Sequence, residues 1–258
     1  MAMNLIERTD DMKKNILLGV LGGLGPMSTF YFCELLTSHT LASQDADHLD
    51  MLISSRASTP DRTAFILGES SESPLPVMQE EALRLAKAGA DLLVIPCNTA
   101  HYFYEGLSQI SPVPILNIIE ETVLYLKKRG IRTMGLLATD GTVRSRSYHL
   151  FCQRHGIECI TPANEEQKII MDIIYGAVKQ NRSPDFSAFL RVSQSLLNRG
   201  CECLVLGCTE LSLLRREGLN QPWYVDSLEI LACRTILACG KTPVGFSSDF
   251  ECLREGSE

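Results

Sequence analysis

Short apolar runs recur along the chain, separated by longer stretches in which apolar and polar residues follow helical spacing. The runs are NILLGVLGG (15–23), DMLISS (50–55), DLLVIP (91–96), TMGLLAT (133–139) and CLVLG (203–207). Runs of this length are typical of buried strands, and strands that alternate with helices form parallel sheets. The pattern therefore predicts an α/β fold with parallel sheets.

Two of the intervening stretches carry an apolar stripe at helical spacing. The stripes are Met78, Ala82, Leu85 and Ala86 in the first, and Ile170, Ile173, Ile174 and Ala177 in the second. Such spacing places the apolar side chains on one face of a helix. In the first helix we expect charged residues, including Glu81 and Arg84, on the opposite, solvent-facing side.

The two halves of the chain repeat each other weakly. GVLGGLGPMST (19–29) corresponds to GLLATDGTVRS (135–145), and VIPCNTA (94–100) to VLGCTEL (205–211). Cys97 follows Gly19 by 78 residues and Cys208 follows Gly135 by 73. The near-equal spacing predicts two related domains. We expect the first to comprise residues 1–115, completed by 209–258, and the second residues 116–208, with the break near SPVPILN (111–117).

Composition and charge narrow the functional class. The chain has 258 residues, of which 45% are hydrophobic and 21% charged, and its formal net charge is -7. An acidic chain lacks the basic stripe that nucleic-acid binding requires, so we expect no nucleic-acid partner. No apolar run is long enough to cross a bilayer, and MAMNLIERTDDMKKN at the amino terminus lacks the apolar core of a signal peptide. We therefore expect no membrane association and a cytoplasmic location.

The chain contains ten cysteines, which we interpret as reduced thiols. They are scattered through a chain of ordinary length without a secretory signal. Cys201 and Cys203 form a C-x-C at the start of a strand, where alternation directs the two side chains to opposite faces, so no metal site is expected. Buried structural roles are expected for a further five, namely Cys33, Cys152, Cys159, Cys233 and Cys239.

Cys97 and Cys208 differ from the other cysteines because each follows a predicted strand and precedes a predicted helix. Ligands of parallel α/β sheets bind at this edge. A helix amino terminus favours the thiolate, so we expect a lowered pKa at both thiols. Two thiols on opposite sides of a cleft could remove a proton from one face of a carbon acid and deliver one to the other face. This arrangement suits racemisation of an amino acid.

A carbanion formed without an imine cofactor needs hydrogen-bond donors aimed at its carboxylate. The sequence offers such donors at strand ends and helix starts. They are Asn98, Thr99, Thr142, Thr209 and the backbone amides of the Gly22–Gly25 loop, with Gly25 closest to the following helix.

PCNTAH around Cys97, GCTEL around Cys208 and GGLGP near the amino terminus resemble the signatures of the aspartate/glutamate racemase superfamily. The NTAH and CTEL endings and STPDRT (58–63) resemble its aspartate racemase branch, whereas glutamate racemases usually have Thr-His after the second cysteine. The resemblance covers roughly residues 15–241. It implies two pseudosymmetric flavodoxin-like or Rossmann-like domains with the site in the cleft between them, no cofactor, and commonly a homodimer.

The resemblance also implies a two-base mechanism with Cys97 and Cys208 as the acid/base pair. Arg62 matches an arginine that helps recognise the substrate side-chain carboxylate. Lys179 matches a second cation, with Lys168 as the competing assignment. Both cations favour an acidic substrate, aspartate or glutamate.

Several positions keep two interpretations. His101 and Glu210 could assist the thiols or could simply pack and cap helices. GGLGP could suggest a phosphate-binding loop, but it lacks the spacing and the lysine of one, and Pro26 removes an amide donor. Asp140 adjoins the expected cleft, where a carboxylate would disfavour an anionic substrate unless it points away.

The alternative functions share the scaffold. They are a broad-specificity amino-acid racemase, a hydantoin racemase, a maleate isomerase, an arylmalonate decarboxylase and a non-catalytic amino-acid-binding protein. The presence of both cysteines in their motifs favours racemisation, and solvent deuterium incorporation at Cα distinguishes turnover from binding.

Overall fold

The computed structural model describes residues 15–216 and 218–246. The amino-terminal segment before Asn15 and the end of the predicted completing segment, 247–258, lie outside the described residues. The strands are β1 Leu17–Gly22, β2 Asp50–Ser55, β3 Leu92–Val94, β4 Ile115–Leu116, β5 Thr133–Leu137, β6 Glu158–Ile160, β7 Cys203–Leu206 and β8 Tyr224–Asp226. The α-helices are α1 Pro26–Ser38, α2 Arg62–Leu67, α3 Leu75–Lys87, α4 Tyr104–Ser108, α5 Ile118–Lys128, α6 Asp140–Ser145, α7 Ser147–Arg154, α8 Asn164–Met171, α9 Phe186–Asn198, α10 Thr209–Arg216 and α11 Ser227–Ala238.

The strands form two parallel sheets of the same design. The first has the order β2-β1-β3-β4 and the second the order β6-β5-β7-β8. All pairings are parallel, with Leu18 opposite both Met51 and Leu92 in the first sheet and Met134 opposite both Cys159 and Cys203 in the second. The predicted α/β fold with two related parallel sheets is confirmed.

The five predicted strands are present, and three further strands were not predicted. These are β4, β6 and β8, which have two or three residues each. An apolar run this short gives no periodic signal, so only pairing with a neighbouring strand identifies it. Each is an edge strand of its sheet.

The carboxyl-terminal segment differs from the predicted division at one strand. β8 pairs with β7 and completes the second sheet, although residues 209–258 were assigned to the first domain. All three residues of β8 are buried, and the parallel pairing with β7 assigns this strand to the second sheet. The following helix α11 packs against α1 and α5, so the chain does return towards the first half. The domain limits themselves stay a prediction.

Apolar side chains form a continuous core between the two halves. The largest cluster joins residues of both sheets, including Val20 and Val205, with residues of α5 and α11 such as Leu126 and Ile230. Burial of this kind fixes the halves against each other. Their facing edges can therefore hold a site of defined geometry.

Each helix with a predicted stripe differs from expectation in one detail. On α3, Glu81 is 2% exposed rather than solvent-facing, since it pairs with Arg56 and Arg84 and accepts a hydrogen bond from Ser54 Oγ. The second stripe begins on α8 and ends in a π-helical turn, Asp172–Ala177, which is followed by a 3-10 turn, Val178–Gln180. Such turns shift the side-chain register along a helix, often at functional sites.

Candidate active site

A small cavity lies where the carboxyl ends of β3 and β7 face each other, with an empty volume of about 250 Å³. Both halves contribute to its wall, as does the segment that follows α8. The lining residues are Leu24, Arg62, Thr63, Cys97, Asn98, Thr99, Thr139, Tyr175, Lys179, Cys208, Thr209 and Glu210. Polar side chains predominate in this lining, so the cavity suits a small polar molecule. It brings Cys97 and Cys208 together.

Cys97 follows β3 and is 6% exposed. Burial raises the pKa of its thiol, while the nearby Arg62 guanidinium and the backbone N–H of Ala100 act in the opposite direction. The negative charge of Glu210 adds to the increase. The element after Cys97 is a five-residue 3-10 helix, Thr99–Phe103, rather than a long α-helix.

Cys208 follows β7 and immediately precedes α10. Its thiol donates a hydrogen bond to Glu210 Oε2 at 3.0 Å. Burial, and then the charge and the hydrogen bond of Glu210, raise the pKa of Cys208 well above the usual range, while Lys179 and the backbone N–H of Glu210 oppose the rise. The expectation of lowered thiol pKa values is therefore wrong for this cavity, because desolvation outweighs the helix termini.

Arg62 is the first residue of α2 and is 7% exposed. Its Nη1 donates to the carbonyl oxygens of Thr59 and Pro60, at 3.3 and 3.0 Å, and its Nη2 donates to that of Leu24 at 2.6 Å. Nε is buried without a hydrogen-bond partner. The guanidinium therefore ties the GGLGP loop to the PDRT segment and keeps two N–H groups, at Nε and Nη2, for a ligand.

Lys179 reaches the cavity from the turn that follows α8. Its Nζ lies 3.9 Å from both Asp61 Oδ2 and Glu210 Oε1 and 4.1 Å from the centre of the Tyr175 ring. Burial is the largest influence and lowers its pKa, but the charges of Glu210, Tyr175 and Cys208 together outweigh burial, and the net shift is upwards. The competing candidate, Lys168, pairs with Glu165 on the exposed face of α8 and does not line the cavity.

Three threonine hydroxyls join the two halves beside the cavity. Thr99 Oγ1 lies 2.9 Å from Thr139 Oγ1 and 3.0 Å from Thr142 Oγ1, and the last two lie 3.1 Å apart. Thr142, predicted as a substrate donor, is 1% exposed and does not line the cavity. Gly141 allows the two halves to approach closely here, since a methyl group on its Cα would lie 2.9 Å from the Cα of Thr63 and 3.0 Å from Cγ2 of Thr99.

Asn98 joins the two cysteine loops. Its Oδ1 accepts from the Tyr148 hydroxyl at 2.7 Å, and its Nδ2 donates to Ser227 Oγ at 3.0 Å. Ser227 in turn donates to the carbonyl of Leu206, two residues before Cys208. The side-chain amide of Asn98 therefore fixes one loop against the other.

His101 holds the backbone of Cys97. Its Nδ1 lies 2.8 Å from the Cys97 carbonyl oxygen, and its Nε2 accepts from the backbone N–H of Ile118 at 3.3 Å. Nδ1 therefore carries the proton. Burial lowers the pKa of His101 to about 4, so the ring is neutral near neutral pH. Both nitrogens are used, and the ring does not line the cavity.

Glu210 contacts the other half of the chain at Gly25. A methyl group on the Cα of Gly25 would lie 2.5 Å from Glu210 Oε1, so a side chain there would displace the Glu210 carboxylate. Gly25 has an extended backbone, so space rather than backbone conformation favours the glycine. Asp140 is directed elsewhere, because its Oδ1 accepts from Gln167 Nε2 at 2.8 Å.

Three lining residues, Thr63, Thr139 and Tyr175, were not predicted from the sequence, and Leu24 lies in the Gly22–Gly25 loop that was. Tyr175 could have been found, since it precedes Lys179 by four residues and therefore shares its helical face. Its hydroxyl donates to Asp61, at 3.3 and 3.2 Å from the two carboxylate oxygens. Over residues 15–216 and 218–246, no cluster of side chains could hold a metal ion, and no helix could span a membrane.

Comparison with known proteins gives one family and several relatives. Residues 21–234 match the model of the Asp/Glu/hydantoin racemase family. The broad-specificity amino-acid racemase RacX of Bacillus subtilis is 28% identical over 228 residues, 85% of this chain and 96% of that protein. Glutamate racemase of Aquifex aeolicus is 28% identical over 192 residues, 68% of this chain and 71% of that protein. The structure of Picrophilus torridus aspartate racemase superposes with a TM-score of 0.77 at 30% identity, covering 92% of this chain and 98% of that one.

Proposed function

The chain belongs to the Asp/Glu/hydantoin racemase family, and we propose that it interconverts the enantiomers of aspartate. Its relatives indicate an isomerase that racemises amino acids. The observation that carries the choice of substrate is that Arg62 and Lys179 line the same cavity as the two thiols. Cations of this kind pair with the side-chain carboxylate of an acidic amino acid.

The unused donors of the cavity support an anionic ligand. Arg62 Nε has no hydrogen-bond partner, and Lys179 Nζ lies 3.9 Å from its nearest carboxylate oxygens, longer than a hydrogen bond. A buried donor without a partner costs free energy. A carboxylate satisfies these donors, whereas an apolar side chain leaves them unpaired.

The two thiols divide the proton transfers. Cys97, which Arg62 and the Ala100 N–H favour as a thiolate, removes the Cα proton of one enantiomer. Cys208, which Glu210 holds as a thiol, delivers its proton to the opposite face. One S–H bond forms at Cys97 and one breaks at Cys208, so the negative charge moves from Cys97 to Cys208. Lys179 and the Glu210 N–H favour the thiolate formed there. The reverse reaction starts from the opposite protonation states.

The donors for the α-carboxylate follow the two cysteines. Thr99 and Thr209 line the cavity beside Cys97 and Cys208 respectively. Backbone N–H groups at these turns are suited to the negative charge that develops on the carboxylate in the transition state. The hydroxyls of Thr99 and Thr142 are already paired with each other, so we assign these two side chains to domain contact.

A second candidate function, a broad-specificity racemase, has its own support. The matched Bacillus subtilis protein bears that description. Three of the five N–H groups of Arg62 donate to backbone carbonyls, so much of the guanidinium serves the loops rather than a side-chain carboxylate of the substrate.

Incubation with single amino acids in deuterium oxide, without pyridoxal phosphate, tests both candidate functions, aspartate racemisation and broad-specificity racemisation. Circular dichroism follows racemisation and proton NMR follows deuteration at Cα. We expect aspartate to racemise with deuterium entering the product. Comparable rates for neutral amino acids would support broad specificity, and binding without exchange for every amino acid would contradict racemisation. The homodimer, the cytoplasmic location and independence of pyridoxal phosphate stay predictions.

A further inference from the structure

Glu81 is a buried carboxylate on α3 that takes no part in the proton transfers. It is 2% exposed and does not line the cavity. Its Oε1 accepts from Arg56 Nη1 at 2.9 Å, and its Oε2 accepts from Ser54 Oγ and Arg84 Nη2. Burial raises the pKa of Glu81, but these three hydrogen bonds outweigh burial and the net shift is downwards. A buried ion pair adds little net stability, because desolvation offsets its attraction, but it can fix the geometry of the groups it joins.

The backbone of Arg56 lies against the GGLGP loop. Arg56 directly follows β2. Gly23 has a φ of +82°, and a methyl group on its Cα would lie 2.4 Å from the backbone nitrogen of Arg56 and 2.5 Å from its carbonyl carbon. The next residue, Leu24, provides the carbonyl oxygen that accepts from Arg62 Nη2. A shift of Arg56 would therefore displace an acceptor of the Arg62 guanidinium.

The carbonyl oxygen of Arg56 also holds the turn that leads to Arg62. It accepts from the backbone N–H of Thr59 at 3.2 Å and from Thr59 Oγ1 at 2.8 Å. The carbonyl oxygen of Thr59 in turn accepts from Arg62 Nη1 at 3.3 Å. Two of the three carbonyls that hold the Arg62 guanidinium, those of Leu24 and Thr59, therefore depend on the position of Arg56.

We propose that Glu81 is a positioning residue for Arg62, because its ion pair with Arg56 fixes the backbone on which the Arg62 guanidinium is aligned with the cavity. This role rests on the proposed use of Arg62 beside Cys97. Glu80 also pairs with Arg56, at 2.7 Å, but its side chain is 66% exposed and solvent weakens that pair. Glu81 is thus the buried fixed point of the segment.

The titration of Cys97 reports the position of the Arg62 guanidinium without a substrate. The charged groups that act on this thiol are Arg62, Glu210 and Lys179, of which Arg62 and Lys179 favour the thiolate. The thiolate is the form that is alkylated, so the rate of alkylation below the pKa follows the thiolate fraction. Cys208, on which Glu210 and Lys179 act, is the internal reference in the same cavity.

Iodoacetamide alkylation of both thiols is followed by peptide mass spectrometry as a function of pH in wild type and Glu81→Gln. Glutamine keeps the shape of the side chain but loses the charge that holds Arg56, so Arg62 is held less firmly. We expect Cys97 to react about threefold slower below its pKa, a shift of about half a pH unit. The rate at Cys208 should change much less.

Three further variants separate positioning from a general loss of stability. Addition of Glu81→Gln to Arg62→Met should leave the Cys97 rate unchanged, because the charge that Glu81 positions is absent. Arg56→Met breaks the same path at a half-buried side chain and should also slow Cys97, which keeps the test decisive if Glu81→Gln does not fold. Glu121→Gln removes a carboxylate that pairs with Arg234 on another helix. It is the matched control and should leave both thiols unchanged.

The outcomes separate this role from the proposed reaction. No amino acid is added, so a lack of aspartate racemisation would contradict the proposed function and leave the thiol result standing. The positioning role is overturned if Glu81→Gln and Arg56→Met fail to slow Cys97, slow both thiols equally, or act equally with and without Arg62.

Discussion

The two cysteine loops have the same backbone position and unlike chemical surroundings. Each cysteine follows the third strand, in chain order, of a four-stranded parallel sheet, at the edge that faces the other half. Cys97 has a guanidinium and a backbone N–H beside it. Cys208 has a carboxylate that accepts its proton in a hydrogen bond. The internal repeat therefore extends to the fold but not to the charges.

This difference has a consequence for a racemase. Two enantiomers have equal free energies in water, so kcat/KM must be equal in the two directions whatever the bases are. Unequal thiols can still make kcat and KM differ between enantiomers, because they determine which protonation state the resting enzyme holds. We expect the Cys97 thiolate with the Cys208 thiol to predominate over the reverse pair.

Removal of either thiol should have the largest effect. Cys97→Ala and Cys208→Ala are each expected to lower racemisation by about 10³-fold or more, since a general acid or base is lost. In each variant the remaining thiol should exchange the Cα proton of one enantiomer only. The two variants should act on opposite enantiomers. Cα deuteration of each enantiomer by NMR checks this, with Cys233→Ala as a buried-cysteine control. Exchange of both enantiomers by one variant would refute the two-base assignment.

Stability should respond to pH with opposite signs on the two sides. His101 supports Cys97, and its pKa is lowered from 6.5 to about 4. Four residues after Cys208, Ser212 bonds to Asp226, whose pKa burial raises to about 7. At His101 the unfolded chain holds a proton more readily than the folded protein between pH 4 and 6.5. At Asp226 the folded protein holds a proton more readily than the unfolded chain between pH 3.8 and 7.

The stability that neutral His101 provides is present above pH 6.5 and is lost as the pH falls towards 4, by about 3 kcal/mol. The stability that protonated Asp226 provides is present at acidic pH and is lost as the pH rises through 7. Urea unfolding of His101→Gln and Asp226→Asn at several pH values checks the two slopes. We expect each variant to lose its own contribution, while His155→Gln, with a less buried ring, changes little. Slopes of the same sign would contradict the assignment.

Arg62 combines a structural clamp with a charge, and two variants separate them. Arg62→Lys keeps the charge and loses the fork that reaches three carbonyls, so we expect about 2 kcal/mol lower stability with the Cys97 titration little changed. Arg62→Met removes both, and should also raise the pKa of Cys97. Thermal unfolding and pH-dependent alkylation of Cys97 measure the two effects. An unchanged Cys97 titration in Arg62→Met would show that the charge does not reach the thiol.

Glu210→Gln should have the smallest effect and the most specific one. The amide keeps the shape of the side chain but removes the charge that raises the pKa of Cys208 most after burial, and that of Cys97 less. We expect alkylation of Cys208 near neutral pH to be about tenfold faster, a shift of about one pH unit. Cys97 should change less. Equal acceleration of both thiols would remove the distinction between the two sides.

The sequence was most informative where patterns were long or repeated. The strand runs and the spacing of the two cysteine motifs predicted the parallel sheets, and the structure brings most of the proposed site residues to one cavity. Thr142 and His101 lie outside its lining, since their polar atoms already serve the domain contact and the Cys97 loop. Gly25, also predicted to bind substrate, lies outside the lining as well. Strands of two or three residues escaped prediction because they are defined by their neighbours.

By itself the sequence determined the parallel α/β halves, the placement of Cys97 and Cys208 at strand ends, and the resemblance to a racemase family. These follow from periodicity and local motifs, which neighbouring residues encode. Only the tertiary structure decided that burial raises both thiol pKa values, that the Cys208 thiol donates a hydrogen bond to Glu210, and that Lys179 reaches the cavity while Lys168 does not. Desolvation and charge coupling depend on which residues meet across the cleft, and no spacing along the chain reports that.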